Sequence, residues 1–351
     1  MDGQIAALLP RLIEVRHDLH QHPELGFEEH RTQEVVRGWL EEHGYTPRDC
    51  AETGLVADLK PGEGPTVALR ADLDALPMQE DTDLPYRSVH DGCAHKCGHD
   101  GHTSILLGVA AVLAQHRETL PGNVRLLFQP AEEGVRGGGA RVMVAEKALD
   151  GVSEVYGLHN WPAFPRGEVR IKPGVLMAQV DDFDITVRGE GGHAGHPQTC
   201  RDPIAAAAAI ITGLRGLVSR IVDSQGPAVI TVAAIDAGTT YNVIPGSAAL
   251  KGTIRTFDPQ LREQLLSRFD ELIKSEARAH DTEAEIDLFP RYPVLVNDAG
   301  CHDAVVRVAS GLLGAEKVRD EGLPVGGAED FAFFCREVPS AYFFLGAGDA
   351  Q

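Results

Sequence analysis

The hydrophobic positions at the start of the chain recur at helical spacing. From residue 5 to residue 44 the apolar side chains fall three or four positions apart, interrupted by the turn sequence HPELG at 22–26, and this predicts two helices. Short apolar runs bounded by glycine or proline then predict strands, separated by helix-like stretches. The strand-like runs are 54–59, 66–77, 123–130 and 154–162, and the helix-like stretches are 102–116 and 138–149. This order indicates a mainly parallel α/β sheet, in which ligands bind beyond the carboxyl ends of the strands.

A different pattern begins near residue 179. Polar and apolar positions alternate in QVDDFDITVRG, and the following segments predict helix, strand, strand, helix and strand. This β-α-β-β-α-β order is the ferredoxin-like plan. We therefore expect a discontinuous α/β catalytic domain formed by 1–178 and 294–351, and an inserted ferredoxin-like domain at 179–293.

Composition restricts the classes of partner. The formal net charge is −20, which disfavours nucleic acid and anionic lipid, and 43% hydrophobic with 24% charged residues is typical of a soluble globular protein. No apolar run approaches the ~20 residues of a membrane helix, and the acidic N-terminus lacks the features of a signal peptide. Six scattered cysteines favour reduced thiols or metal ligation over a disulfide scaffold. We expect a cytoplasmic protein.

Polar side chains follow each predicted strand of the first domain. These residues are Asp72 and Asp74, Cys97 and His99, Glu132 and Glu133, and His159. Because the carboxyl ends of parallel strands meet at one edge of a sheet, these groups should converge there. A thiolate, imidazoles and carboxylates together form the mixed ligand set of a catalytic zinc or related divalent-metal site.

The adjacent glutamates suggest two different roles. Neighbouring side chains of an extended segment point to opposite sides, so one carboxylate can bind metal while the other faces the substrate. On this geometry Glu132 is the general base and Glu133 the ligand, although the spacing alone also allows the reverse. These segments have three alternative interpretations. They could form a redox cysteine pair, a solvated surface loop, or a structural zinc knot made by Cys93, His95, Cys97 and His99.

The inserted domain has polar residues of its own. His193 and His196 lie in a glycine-rich turn, and Asn242 and Arg255 follow in later segments. In isolation each is more typical of a solvated or ion-paired surface residue. Back in the first domain, VGGAEDFAFF contains a turn at Gly327 followed by Glu329 and Asp330, which could cap the next helix.

Eight motifs taken together resemble the amidohydrolase branch of the dinuclear metallopeptidases, which includes hippurate hydrolases, N-acyl-amino-acid amidohydrolases and hydrolases of indole-acetyl-amino-acid conjugates, and is related to carboxypeptidase G and aminoacylase. They run in the family's order from residue 22 to residue 348, so the resemblance covers nearly the whole chain. The motifs are HPELGFEEHRT, RADLDALPMQE, CGHDGHTSILLG, FQPAEEG, GLHNWP, GGHAGHP, YNVIPG and GGAEDFAFF.

The resemblance implies a role for each candidate residue. Two divalent cations per subunit (zinc, manganese, cobalt or nickel) are held by Cys97, His99, Glu133 and His159, with Cys97 shared between them. Glu132 is the general base, and Asp72 and Asp74 orient the site. His193 reaches the reacting carbonyl, in relatives from the partner subunit of a homodimer formed through the inserted domain. Asn242, Arg255 and Gly327 contribute to substrate binding.

Two departures from the family pattern modify this expectation. His196 stands where relatives often have methionine or arginine, which would change the shape and polarity of the pocket. Relatives also carry a metal-binding histidine after FFLGAG, whereas the last histidine here is His302. Either the sequence is truncated or the second metal position is incomplete.

The sequence therefore predicts a metal-dependent amidohydrolase that cleaves the amide bond of N-acyl amino acids by attack of a metal-activated water. Two alternatives stay open. One is a metallocarboxypeptidase or dipeptidase that acts on short peptides with the same machinery. The other is a metal-binding relative that has lost catalysis, against which the presence of Glu132 argues, since a binding site needs no spare base.

Overall fold

The computed structural model describes residues 2–60, 62–134, 137–221 and 228–348. The helices are α1 (Asp2–Gln21), α2 (His30–Glu42), α3 (His99–Gln115), α4 (Gly139–Ala145), α5 (Pro203–Ile221), α6 (Pro259–Ala279), α7 (Ala299–Leu313) and α8 (Ala332–Glu337). The strands are β1 (Arg48–Cys50), β2 (Gly54–Leu59), β3 (Thr66–Asp72), β4 (Asn123–Gln129), β5 (Val152–Pro165), β6 (Val169–Arg170), β7 (Gly174–Met177), β8 (Gln179–Arg188), β9 (Gly192–His193), β10 (Ala228–Ala237), β11 (Val243–Ile244), β12 (Ser247–Thr256), β13 (Glu283–Pro290), β14 (Leu295–Asn297), β15 (Val318–Arg319) and β16 (Ser340–Gly348).

The chain divides into two compact units. The first contains 1–176, 295–325 and 329–351, and the second contains 177–294 and 326–328. The second unit therefore extends slightly beyond the range 179–293 expected from the sequence, and it includes 326–328, a segment assigned above to the first domain. The expected ranges also contain residues, such as 222–227 and 349–351, that lie outside those the structure describes.

The first unit is built on an eight-stranded sheet in the order β1-β2-β4-β3-β5-β16-β6-β15. Its centre is parallel, because β3 pairs in parallel with β4 and β5, and β16 with β5, whereas β1, β2 and β6 run antiparallel to a neighbour. This confirms the predicted mixed α/β class with a mainly parallel sheet. Apolar side chains of α2 and α3 pack with those of β2, β3 and β4 to form its main core.

Two boundaries differ from the sequence-based expectation in ways that matter for the site. The run 66–77 is a strand only as far as Asp72, and the rest forms a loop. Helix α3 begins at His99 instead of residue 102, because Gly98 adopts φ +88° immediately before it. A side chain at Gly98 would also collide with Asn160, whose Oδ1 lies 2.4 Å from the Cβ position. His99 thus occupies the first turn of a helix.

The second unit contains a four-stranded antiparallel sheet in the order β10-β12-β8-β13. With α5 and α6, the chain order of these elements is β-α-β-β-α-β, as the pattern predicts. Apolar residues of α5 and α6 pack against β8 and β12 in a separate core.

The expectation about membrane helices needs a correction at α5. This 19-residue helix is long and apolar enough to cross a membrane by length and composition alone, and alanines supply much of its apolar character. The indication is weak, since core helices of soluble proteins meet the same criterion. Ala206, Ala207, Ile210 and Leu214 of α5 are buried in the core of the second unit.

Candidate metal centre

The predicted ligands of the first unit come together at the carboxyl edge of its parallel strands. Asp72 ends β3 and pairs with Gln129, which ends β4. His159 lies inside β5 instead of at its end, but the pairing of β3 with β5 stops at Gly157, so His159 projects just beyond the paired region. Two sets of ligand atoms, each within 4.8 Å of one another, share His99: Cys97, His99 and His159 form one, and His99, Glu132 and Glu133 the other.

The imidazole of His99 is fully buried and oriented from one side. Its Nδ1 lies 2.9 Å from the backbone oxygen of Asp74 and 3.3 Å from Asp74 Oδ1. These acceptors place the proton on Nδ1 and direct Nε2 toward the cluster, an arrangement typical of histidine ligands to metals. Among the described residues, Nε2 has no hydrogen-bond partner although it is buried. An isolated polar atom of this kind is what a bound cation would satisfy.

Cys97 and His159 face each other across the same space. The distance from Cys97 Sγ to His159 Nε2 is 3.2 Å, and His159 Nδ1 lies 2.6 Å from the backbone oxygen of Asn160. Burial is the main cause that lowers the pKa of His159 to about 4, so its imidazole is neutral and suited to metal ligation. Burial also raises the pKa of the Cys97 thiol, opposed by His99.

Both glutamates approach His99. Glu132 Oε2 lies 4.0 Å and Glu133 Oε1 3.9 Å from His99 Nε2. The expectation that the two side chains point to opposite sides of an extended segment is therefore wrong. The physical reason is that β4 ends at Gln129 and Ala131 adopts φ +53°, so the segment that carries the glutamates is bent.

The surroundings of the two carboxylates nevertheless differ. The Glu133 backbone N–H donates to Asp74 Oδ2 at 2.9 Å, and its buried Oε1 has no hydrogen-bond partner among the described residues. Glu132 lies within 4.8 Å of Glu329 and Asp330. Burial, reinforced by these two neighbours, raises the pKa of Glu132 well above its usual range. Burial raises the pKa of Glu133 as well. The two carboxylates therefore differ mainly in their neighbours, because Glu132 lies beside a second acidic pair and Glu133 does not.

A buried network supports the floor of the site. The Arg70 guanidinium, with no exposed side-chain surface, donates to Asp72 at 2.6 Å, Glu329 at 2.8 Å and Gln129 at 2.7 Å. Asp72 in turn lies 2.7 Å from His102 Nδ1. Although burial opposes the charged form, His99 and Arg70 lower the pKa of Asp72 well below its usual range. Arg70 therefore neutralises part of the acidic cluster and fixes Asp72.

His102 is excluded from the ligand set by its own contacts. It belongs to a third set of adjacent ligand atoms with Asp72 and His99. However, its two ring nitrogens are both engaged, Nδ1 with Asp72 and Nε2 at 2.6 Å from Asn160 Oδ1. The ring therefore links Asp72 to Asn160.

Sequence reasoning missed several residues of this site, namely Arg70, His102, Gln129 and Asn160. Each lies within three positions of a predicted residue in a quoted motif. The signal that could have revealed them was a charged or amide side chain inside an apolar strand or helix start, where burial requires a partner. Glu329 and Asp330 could have capped the next helix, but α8 has no side-chain capping bond among the described residues. Glu329 accepts from the Phe331 N–H at 3.1 Å, and both carboxylates pair with Arg70.

The remaining predicted residues lie in the second unit. His193 in β9 pairs with Val243 in β11, and the Ala194 N–H donates to the Asn242 backbone oxygen at 3.0 Å. Arg255 donates to the backbone oxygen of Gly326 at 2.5 Å. The backbone oxygen of Gly327 accepts from Ala178 at 2.9 Å. Within this unit, His193 therefore lies close to Asn242, and Arg255 bonds the residue that precedes Gly327.

The first unit therefore fits a divalent cation. Thiolate, imidazole and carboxylate donors converge, and two of their buried atoms, His99 Nε2 and Glu133 Oε1, find no partner in the described part of the chain. All six cysteines lie in that part and are free thiols, which leaves Cys97 available. The structural zinc knot is disfavoured because Cys93 instead donates to the backbone oxygen of Pro23.

Comparison with known proteins agrees with this geometry. The family model described as Peptidase family M20/M25/M40 matches residues 68–351. The chain is 42% identical to N-acetylcysteine deacetylase of Bacillus subtilis, over 97% of this chain and 89% of that protein. It is 39% identical to hippurate hydrolase of Campylobacter jejuni, over 94% of this chain and 86% of that protein. A solved dinuclear metal-binding peptidase of the M20 family from Bacillus subtilis superposes with a TM-score of 0.83 at 38% identity, covering 99% of this chain and 91% of that one. The chain belongs to the M20/M25/M40 peptidase family and is a metal-dependent amidohydrolase.

Proposed function

We propose that the protein hydrolyses the amide bond of N-acyl amino acids, releasing a carboxylic acid and a free amino acid. The observation that carries this proposal is the pairing of a buried ligand cluster with an additional glutamate, Glu132, in a second acidic environment. A cluster that only stored metal would not need that carboxylate. Two relatives named for N-acetylcysteine deacetylation and hippurate hydrolysis support this substrate class.

Cys97, His99, Glu133 and His159 would hold two divalent cations. Zinc, manganese, cobalt and nickel all suit this donor set. The cations would supply Lewis acidity toward the amide oxygen and toward water.

Glu132 carries the proton transfers. As a carboxylate it accepts a proton from the attacking water, and as a carboxylic acid it delivers that proton to the leaving nitrogen. Its burial beside Glu329 and Asp330 favours the protonated form and so assists the second step. Asp74 orients His99 and the Glu133 backbone, and Asp72 is held by Arg70 and His102.

The second unit would contribute recognition. We assign His193 as a donor to the developing oxyanion, and Asn242, Arg255 and Gly327 to the acyl and carboxylate ends of the substrate. The sheet of this unit ends at β10 and β13, and exposed apolar residues such as Ile235 and Phe289 lie on these edge strands. An exposed edge of this kind can pair with a second copy of the chain, so we propose a homodimer through this unit.

The test is a hydrolysis screen with metal-stripped protein reconstituted separately with zinc, manganese, cobalt and nickel. The panel contains N-acetyl, N-benzoyl and indole-acetyl amino acids together with unmodified dipeptides, and free amine release is measured. We expect turnover of at least one N-acyl class above the dipeptides. Preference for dipeptides would make the protein a carboxypeptidase or dipeptidase, and metal binding without turnover of any substrate would make it a catalytically impaired relative.

A further inference from the structure

Glu29 lies at the start of α2 but does not cap that helix. It occupies the N-cap position, and among the described residues its side chain makes no capping hydrogen bond. The Glu24 carboxylate takes that role, because it accepts the backbone N–H groups of Arg31 at 2.9 Å and Thr32 at 2.7 Å. The completely buried carboxylate of Glu29 therefore has other partners.

Those partners belong to the segment that carries the glutamate pair. Glu29 Oε1 accepts the backbone N–H of Ala131 at 2.8 Å, and Oε2 accepts the hydroxyl of Thr53. Ala131 is completely buried and has φ +53°, in the left-handed region that an alanine rarely adopts. A buried backbone N–H requires an acceptor, and here the acceptor is a carboxylate that reaches it from a distant part of the sequence.

The backbone is held on both sides of Glu132. Before it, Ala131 is bonded through its N–H to Glu29 and through its carbonyl to the N–H of Gly139 at 3.1 Å. After it, the Glu133 N–H donates to Asp74. Two carboxylates thus fix the ends of a short bent segment, and Glu132 lies between them.

We propose that Glu29 is a positioning residue for the Glu132–Glu133 pair, which it holds by bonding the left-handed backbone of Ala131. This inference rests on the proposed function, since it assumes that Glu132 transfers protons and that Glu133 binds metal. Loss of the bond would allow Ala131 to return toward an ordinary conformation. Both carboxylates would then move relative to Cys97 and His99, and turnover and metal affinity would fall together.

Two conservative variants separate positioning from charge. Glu29→Gln keeps the length of the side chain, so its amide oxygen can still accept from Ala131 and its amide nitrogen can donate to Thr53. Glu29→Asp keeps the charge but is one methylene shorter, and it cannot reach both partners. We expect Glu29→Gln to stay within a few-fold of wild type, and Glu29→Asp to lose about 10- to 100-fold in kcat with KM little changed.

Metal affinity provides a second measurement that does not depend on turnover. We expect calorimetric titration of stripped protein to give weaker binding for Glu29→Asp than for Glu29→Gln. The matched control is Glu24→Asp, which shortens a carboxylate of the same motif whose side-chain hydrogen bonds, among the described residues, go to the backbone of α2. It should lower the thermal midpoint but leave kcat and metal affinity unchanged.

Each outcome decides the proposal. A folded Glu29→Asp protein with wild-type kcat and metal affinity would overturn it. So would a loss of kcat and metal affinity in Glu29→Gln equal to that in Glu29→Asp, because charge would then be the essential property. If Glu29→Asp does not fold, loss in Glu29→Gln relative to wild type would overturn the proposal, and retention of both properties would support it. If wild type hydrolyses no N-acyl amino acid, the proposed function fails, while the order of metal affinities still tests the positioning.

Discussion

The candidate residues of the two units are held in very different ways. In the first unit, His99, Asp72 and Asp74 are at most 1% exposed, and each is fixed by a named partner. In the second unit, His193 and Asn242 are exposed, with His193 in the short strand β9 and Asn242 immediately before its partner β11. The first arrangement is buried and held by several hydrogen bonds, whereas the second is exposed to solvent, with His193 Nδ1 accepting only a local N–H, that of Gly195 at 3.0 Å, among the described residues.

This difference follows from the chemistry that each unit is proposed to perform. Metal ligands and a proton-transfer group must keep their relative positions, because small displacements cost binding and rate. Recognition of an acyl group tolerates mobile and exposed side chains, which can adjust to the substrate. The comparison predicts that substitutions in the first unit change metal content or kcat, and that most of those in the second change KM.

The largest effect is expected at Glu132. Glu132→Gln removes the proton acceptor while keeping the shape of the side chain, so kcat should fall by ~10²–10⁴-fold with metal content nearly intact. The matched variant Glu133→Gln should instead lose metal, since an amide is a poorer ligand than a carboxylate. Turnover and elemental analysis of both variants decide the assignment. Metal loss in Glu132→Gln with retention in Glu133→Gln would reverse the two roles.

His193 is an exception, because it lies in the second unit but is expected to affect kcat. If it stabilises the oxyanion, His193→Ala should lower kcat by ~10²–10³-fold with metal content unchanged. The control is His196→Ala in the same loop, which should affect KM more than kcat. Mixing Glu132→Gln chains with His193→Ala chains tests whether His193 acts across a dimer. Recovery of activity in purified heterodimers is expected, and its absence would show that each site uses residues of one chain.

A smaller effect is expected at Asp74, which contacts the proposed metal ligands His99 and Glu133 without being assigned as one. Asp74→Asn keeps an acceptor for His99 or for the Glu133 N–H but weakens both bonds, so metal affinity or kcat should fall by ~10- to 100-fold. Titration of stripped protein with zinc measures the first quantity. Unchanged affinity and turnover would mean that the backbone carbonyl of Asp74 alone orients His99.

Much of this architecture could be predicted from the sequence because it depends on local patterns. Periods of two and 3.6 residues gave the order of strands and helices in both units, and glycine and proline marked the turns between them. Asp72 is recognisable as a candidate because it stands where a strand ends, and Cys97 because it lies two residues before His99 in the motif CGHDGH. These signals require only a few neighbouring residues.

What could not be predicted depends on long-range contacts and local backbone conformation. Arg70 meets Glu329 across 259 positions of sequence, and no periodic pattern reports such a pairing. The left-handed conformation of Ala131 was equally hidden, because alanine carries none of the composition cues of glycine or asparagine. For this reason the sequence suggested opposed glutamates, whereas both lie about 4 Å from His99 Nε2.

The smallest effect on turnover is expected for Glu29→Gln, which should instead change how stability depends on pH. Burial, assisted by the charge of Asp74 and opposed by the bonds from Thr53 and Ala131, raises the pKa of Glu29 from 4.5 to about 7. The folded state therefore binds this proton more tightly than the unfolded chain, and the free energy of unfolding falls as pH rises from 4.5 to about 7.

The variant Glu29→Gln cannot titrate, so its free energy of unfolding lacks this decrease. Relative to wild type, it should gain up to ~3 kcal/mol over that window, since one pKa unit corresponds to about 1.4 kcal/mol. Urea unfolding of chelator-treated wild type and variant at pH 5 and pH 8 measures the difference. An equal dependence on pH in both proteins would show that Glu29 titrates at an ordinary pKa, and that its bonds to Thr53 and Ala131 fully offset its burial.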